Sequence, residues 1–197
     1  MLRILKSILA SIPDMALAVV FLTIWINPHL IPSVSVGSLV LVMIMEFVVI
    51  HSAGFMGAIL VGDTARSRKI KGTLWFGAFY LLFFIAFAVT LETWWPMLVF
   101  LLLMANRLFS VVLSDKMSVT QKSMVMGEWA IALSFYILSV FAFLVIPIDP
   151  MGAYGSLQTG GRGEWELRPY KALASGVFYF GLMSLAKFFI VMRANQR

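Results

Sequence analysis

Cysteine is absent from the 197 residues. That removes disulfides, thiolate nucleophiles, iron–sulfur clusters and cysteine zinc sites, and it leaves the redox character of the compartment unreadable. Charge is scarce as well: 12% of the residues are Asp, Glu, Lys or Arg, against about 25% in an ordinary soluble domain. Histidine occurs twice. The chain has no His-Glu-x-x-His, no Gly-x-Ser-x-Gly, no histidine-rich box and no bis-histidine spacing, so no metal, haem or serine-hydrolase chemistry has a motif to rest on. What fills the chain is apolar: 61% of residues, 17 of them phenylalanine, with a mean hydropathy of +0.97. The expectation is an all-α polytopic membrane protein in which residues 1–197 form one transmembrane bundle, with no cofactor and no enzymatic activity.

A helix needs about 20 apolar residues to cross a bilayer core of about 30 Å. Six runs meet or approach that length, at about 12–31, 36–62, 73–92, 95–114, 124–147 and 172–192. Ser11-Ile12-Pro13-Asp14 reads as the first helix start, with Ser11 as N-cap and Pro13 in the first turn. Upstream, Arg3 and Lys6 among apolar residues suggest a short helix lying on the inner surface or a frayed tail. Pro13 and Asp14 interrupt any signal-peptide core, so this segment is expected to be retained.

The formal net charge of +6 is not read as nucleic-acid binding, because the basic residues flank the apolar runs. Arg3, Lys6, Arg66, Arg68, Lys69, Lys71, Arg107, Lys116, Lys122, Lys187, Arg193 and Arg197 fall at alternate ends of the spans; only Arg162, Arg168 and Lys171 fall on the other side. The positive-inside rule then puts both termini in the cytoplasm of a six-span protein. Trp94, Trp95 and Trp165 mark the outer interface. The segment 148–170 is an outer loop rich in glycine, read either as a flexible connection over the headgroups or as a lid or docking loop.

Ionisable groups inside the spans are the functional candidates, since each costs about 2.5–3.5 kcal/mol at mid-membrane. Glu46 lies near the middle of the second span, about 15 Å below Val36. Ala53 and Gly57 share its stripe, and His51 lies on a neighbouring stripe with Gly54 and Ala58. Ala53-xxx-Gly57 and Gly54-xxx-Ala58 are small-xxx-small pairs, which let helix backbones approach closely. Glu46 is read either as a protonated group bonding two helices or as a proton, cation or substrate ligand. His51 reads as a satisfied interior histidine, since His29 differs from it in depth by more than about 15 Å and cannot share a metal with it. Arg107 and Glu128, at similar depth on adjacent helices, form either a buried pair or two residues near the inner headgroups. Asp14, Glu92 and Asp149 sit near span ends and call for no function.

Glu46-Phe47-Val48-Val49-Ile50, and Gly160-Gly161 through Trp165 to Pro169 leading into Ala174-Ser175-Gly176-Val177-Phe178-Tyr179-Phe180, resemble an uncharacterised family of bacterial polytopic inner-membrane proteins. The likeness covers about a third of the chain. It implies a multi-pass protein of the bacterial inner membrane and no particular activity. The functional expectation is therefore a non-enzymatic accessory subunit, embedded in lipid and binding other membrane proteins through its small-residue faces. The alternative is a small-solute or ion transport protein that uses Glu46.

Overall fold

The computed structural model describes residues 2–90, 119–153 and 163–194, together with positions 92, 94, 97, 100, 101, 104 and 105. Among these residues there are helices and no strands. The long helices are α1 (Leu2–Ile26), α2 (Val36–Val61), α3 (Arg66–Thr90) and α4 (Val119–Val145); a 3-10 turn at Met151–Ala153 and the short α5 (Glu164–Leu167) precede α6 (Pro169–Ala194). Five of these helices are long and apolar enough to cross a bilayer, which makes the chain a multi-pass helical membrane protein. The run at 95–114 lies mostly outside the described residues.

The first helix corrects the sequence reading. α1 runs unbroken from Leu2 through Pro13, so Ser11 caps nothing. Its hydroxyl donates to the Ile8 carbonyl inside the helix, at 2.8 Å. Proline is tolerated within membrane helices where side-chain hydroxyls and neighbouring helices help to satisfy the backbone it disrupts. The same helix ends at Ile26 rather than near residue 31, because Pro28 disfavours helical backbone at Asn27. Asn27 then turns the chain, accepting the His29 N–H on its side-chain oxygen at 3.0 Å. Ser35 caps α2 by accepting the Ser38 N–H at 3.0 Å, the ordinary N-cap bond.

Two compact units can be distinguished, each described separately: Met1–Met43 with Ser134–Arg197, and Ile44–Leu133. In the first, α1 packs on α6. Gly176 leaves room for the Phe21 ring against the α6 backbone, and Phe21 meets Phe180 with ring centroids 5.5 Å apart. Toward the other end of this contact Ser184 donates to the Ser11 carbonyl at 3.1 Å. Tyr136 of α4 donates to the Met43 carbonyl of α2 at 2.8 Å and meets the edge of Tyr179. The start of the 148–170 segment is anchored: Trp25 donates to the Asp149 carbonyl at 3.1 Å, and Gly152 sits against the Ile26 carbonyl.

The second unit is built on α2, α3, the N-terminal half of α4 and the described positions near 100. Its core is Met45, Val48, Met56, Tyr80, Phe84, Phe100 and Met104. Phe55 stacks on Phe76 at 5.2 Å and Phe84 on Phe100 at 4.3 Å. Gly77 has no side chain because Met104 occupies that space. Lys69 of α3 donates to the Leu60 carbonyl at 2.7 Å, supplying the last turn of α2 with the cation that a helix C-terminus favours.

Candidate intramembrane site

The site lies in the second unit, where α2 and α4 face each other. Gly54 is its determining position. A Cβ built there would stand 2.5 Å from Nε1, 2.6 Å from Cε2 and 2.8 Å from Cζ2 of Trp129, so only glycine lets the indole close on the α2 backbone. The ring is fixed in that place by its own N–H, which donates to the Ile50 carbonyl at 3.0 Å. In hydrocarbon an indole N–H without a partner is costly, and here α2's backbone supplies one. One turn along, Gly57 is looser: its Cβ would meet Val125 at 3.8 Å, an ordinary contact.

Beside this junction is an open cleft of about 210 Å³ lined by Ala53, Gly54, Gly57, Val125, Met126, Glu128 and Trp129. Three of the four small residues singled out from the sequence therefore share one cleft. Ala58 does not; it is exposed. Glu128 is exposed at the cleft and has no hydrogen-bond or ion-pair partner among the described residues. Arg107, expected as its partner, lies outside the described residues. Lys122, below the cleft, is paired with Asp63 at 2.5 Å; Asp63 is 93% exposed, and such surface pairs contribute about 0–1 kcal/mol.

Glu46 is half-buried and engaged in an interaction, but it is not among the residues lining the cleft. His51 spends Nδ1 on the Phe47 carbonyl one turn back, at 3.1 Å, and its ring lies 4.0 Å from that of Phe47. That matches a histidine satisfied within its own helix. No group of three His, Asp or Glu side chains that could hold a metal ion occurs among the described residues.

Two polar features of the first unit went unread in the sequence. Asp14 is buried in the α1/α6 contact, with Lys187 Nζ 2.6 Å from its Oδ2. The approach lies off the angles of a good hydrogen bond, so charge attraction is what compensates that oxygen. At the opposite end of α6, the buried Lys171 donates to the Leu144 carbonyl and to Glu164, both at 2.9 Å. It thereby caps α4's C-terminus as Lys69 caps that of α2. Arg168 adds a second contact to Glu164 at 3.0 Å. The hydrogen bond from Lys171, then the bond and charge of Arg168, hold the Glu164 carboxyl below the usual glutamate range.

No protein-family model, curated protein or solved structure matches the chain. The resemblance drawn from its short motifs therefore adds no residue role to this geometry.

Proposed function

We propose that the chain is a six-span protein of a bacterial inner membrane, with both termini in the cytoplasm, and that it is a non-enzymatic accessory subunit. In this reading the α2/α4 cleft receives a partner transmembrane helix that presents a lysine or arginine to Glu128. The observation that carries the reading is Glu128 itself. It sits about 9 Å into α4 from Lys122 at 1.5 Å per residue, without a partner among the described residues, beside a floor of small residues. A lone carboxylate at such depth is costly unless something meets it, and a basic side chain from a neighbouring helix is the complementary group. α4 also has surface to spare: 11% of its apolar window is buried, against 50% for α2.

The experiment is affinity purification in mild detergent from the native membrane, with wild type, Glu128→Gln and Gly57→Leu compared. A stoichiometric membrane protein retained by wild type and lost from both variants, and recovered when Glu128→Lys is combined with an acidic replacement of the partner's basic residue, supports the reading. A partner retained equally by all three refutes it. The second reading, a small-solute or ion transport protein, draws on Glu46, half-buried near the middle of α2. A small molecule co-purifying with wild type and absent from Glu46→Gln would favour that reading instead.

A further inference from the structure

α3 carries two opposite faces. Thr73, Gly77, Tyr80, Phe84 and Ala88 are buried and recur on one side of the helix. On the other, Arg68, Lys71, Trp75, Phe79, Leu82 and Val89 are all exposed, and at 100° per residue they fall within a strip about 80° wide. The order of chemistry along that strip is two cations, an indole, then hydrocarbon.

The side chains of Arg68 and Lys71 have no hydrogen-bond or ion-pair partner among the described residues. Their neighbour Lys69 behaves differently, turning to the other side and bonding Leu60. The first turn of α3 contains no acid, although basic groups at a helix N-terminus are disfavoured by the macrodipole and an anion there is favoured. Trp75 is 75% exposed, and its N–H has no partner among the described residues either. It lies about 6 Å along the helix from Lys71.

We propose that this strip binds one anionic phospholipid of the leaflet at the α3 N-terminus. The phosphate and its charged headgroup sit on Arg68 and Lys71, the Trp75 N–H donates to a glycerol-ester carbonyl, and an acyl chain lies along Phe79, Leu82 and Val89. Orientation by positive charge counts cations near a span end; it requires neither a shared azimuth nor an indole N–H on the same strip. A free phosphate ion would use the two cations and leave the apolar remainder of the strip without a role. The complete sequence of groups matches a lipid.

The test uses the full chain in nanodiscs of phosphatidylcholine containing a minor fraction of phosphatidylglycerol, with bound lipid counted by native mass spectrometry. Wild type should retain phosphatidylglycerol selectively. Arg68→Gln and Lys71→Gln should each reduce that selectivity about fivefold, as expected for about 1 kcal/mol per basic residue near an anionic surface. Trp75→Phe should lower it less, and Arg68→Lys with Lys71→Arg should keep it. Arg66→Gln is the charge-matched control, because Arg66 lies on the opposite azimuth. An equal loss with Arg66→Gln and Arg68→Gln would show a diffuse surface potential and overturn the site. Displacement of the lipid by millimolar inorganic phosphate would also overturn it, leaving an anion site without lipid.

Discussion

Gly54 and Gly57 lie three residues apart on α2, line the same cleft, and should respond in opposite ways to the same substitution. Gly54→Ala places a methyl group 2.5–2.8 Å from three atoms of the Trp129 indole. The ring must move, and moving it breaks the 3.0 Å bond to Ile50. Overpacking costs about 1–3 kcal/mol, and an interhelical bond in a membrane contributes about 0.6–1.7 kcal/mol. Against this, alanine recovers up to about 1 kcal/mol of helix propensity over glycine. The net loss is about 1–4 kcal/mol. Gly57→Ala adds a methyl group 3.8 Å from Val125 and should be neutral or slightly stabilising. The assay is reversible unfolding in mixed micelles by added SDS, with Trp129 fluorescence followed after the other five tryptophans are replaced by phenylalanine. Gly54→Ala should also shift the Trp129 emission, as the indole loses its fixed partner. Adding Trp129→Phe to Gly54→Ala should cost less than the two single losses combined, because both act on one contact. If Gly54→Ala and Gly57→Ala unfold together, with unchanged emission, the close approach of Trp129 to α2 is not what holds these helices.

The Asp14–Lys187 pair should obey a charge-swap cycle in folded yield and thermal stability. Reversing either charge should cost about 1–3 kcal/mol, below the 3–5 kcal/mol of a fully buried pair because Lys187 is 42% exposed, and reversing both should restore part of the loss. The Glu164 contact should be pH-dependent, because its carboxyl is held below the usual range. The wild type's stability advantage over Glu164→Gln should be full above the unfolded glutamate pKa and disappear as pH falls through the lower folded value; an advantage that persists through that window would show that the ion pairs do not set it. For Glu46, the structural role predicts that Glu46→Gln leaves thermal stability nearly unchanged while Glu46→Leu lowers it by about 0.6–2 kcal/mol. Equal stability of all three would deny it that role.

The existence of five spans was legible from hydropathy, and their limits much less so. The apolar run at about 73–92 became a helix beginning at Arg66, because hydropathy detects where side chains leave water while backbone hydrogen bonding continues through charged residues. The same cause hid the Asp14–Lys187 pair. A start at Ser11 places Asp14 in a first turn near the headgroups; with a helix from Leu2 it stands twelve residues in, turned toward α6. The stop at Ile26 could have been read, since Asn27-Pro28 carries a helix-ending signal.

Of the small-residue pairs, Ala53, Gly54 and Gly57 line the cleft and Ala58 does not, and the residue that closes on Gly54 was invisible. Trp129 read as one apolar aromatic among many, and finding its partner requires the antiparallel register of α2 and α4. The acceptor it reaches, the Ile50 carbonyl, belongs to the helix whose glycine admits the ring. An aromatic with a hydrogen on nitrogen or oxygen, opposite a helix with glycine at the contact, thus carries more information than phenylalanine at the same place. Phenylalanine fills space wherever it fits. An indole or phenol buried in lipid must also find an acceptor, and where the facing side chains are small the nearest acceptor is the neighbouring helix's own backbone.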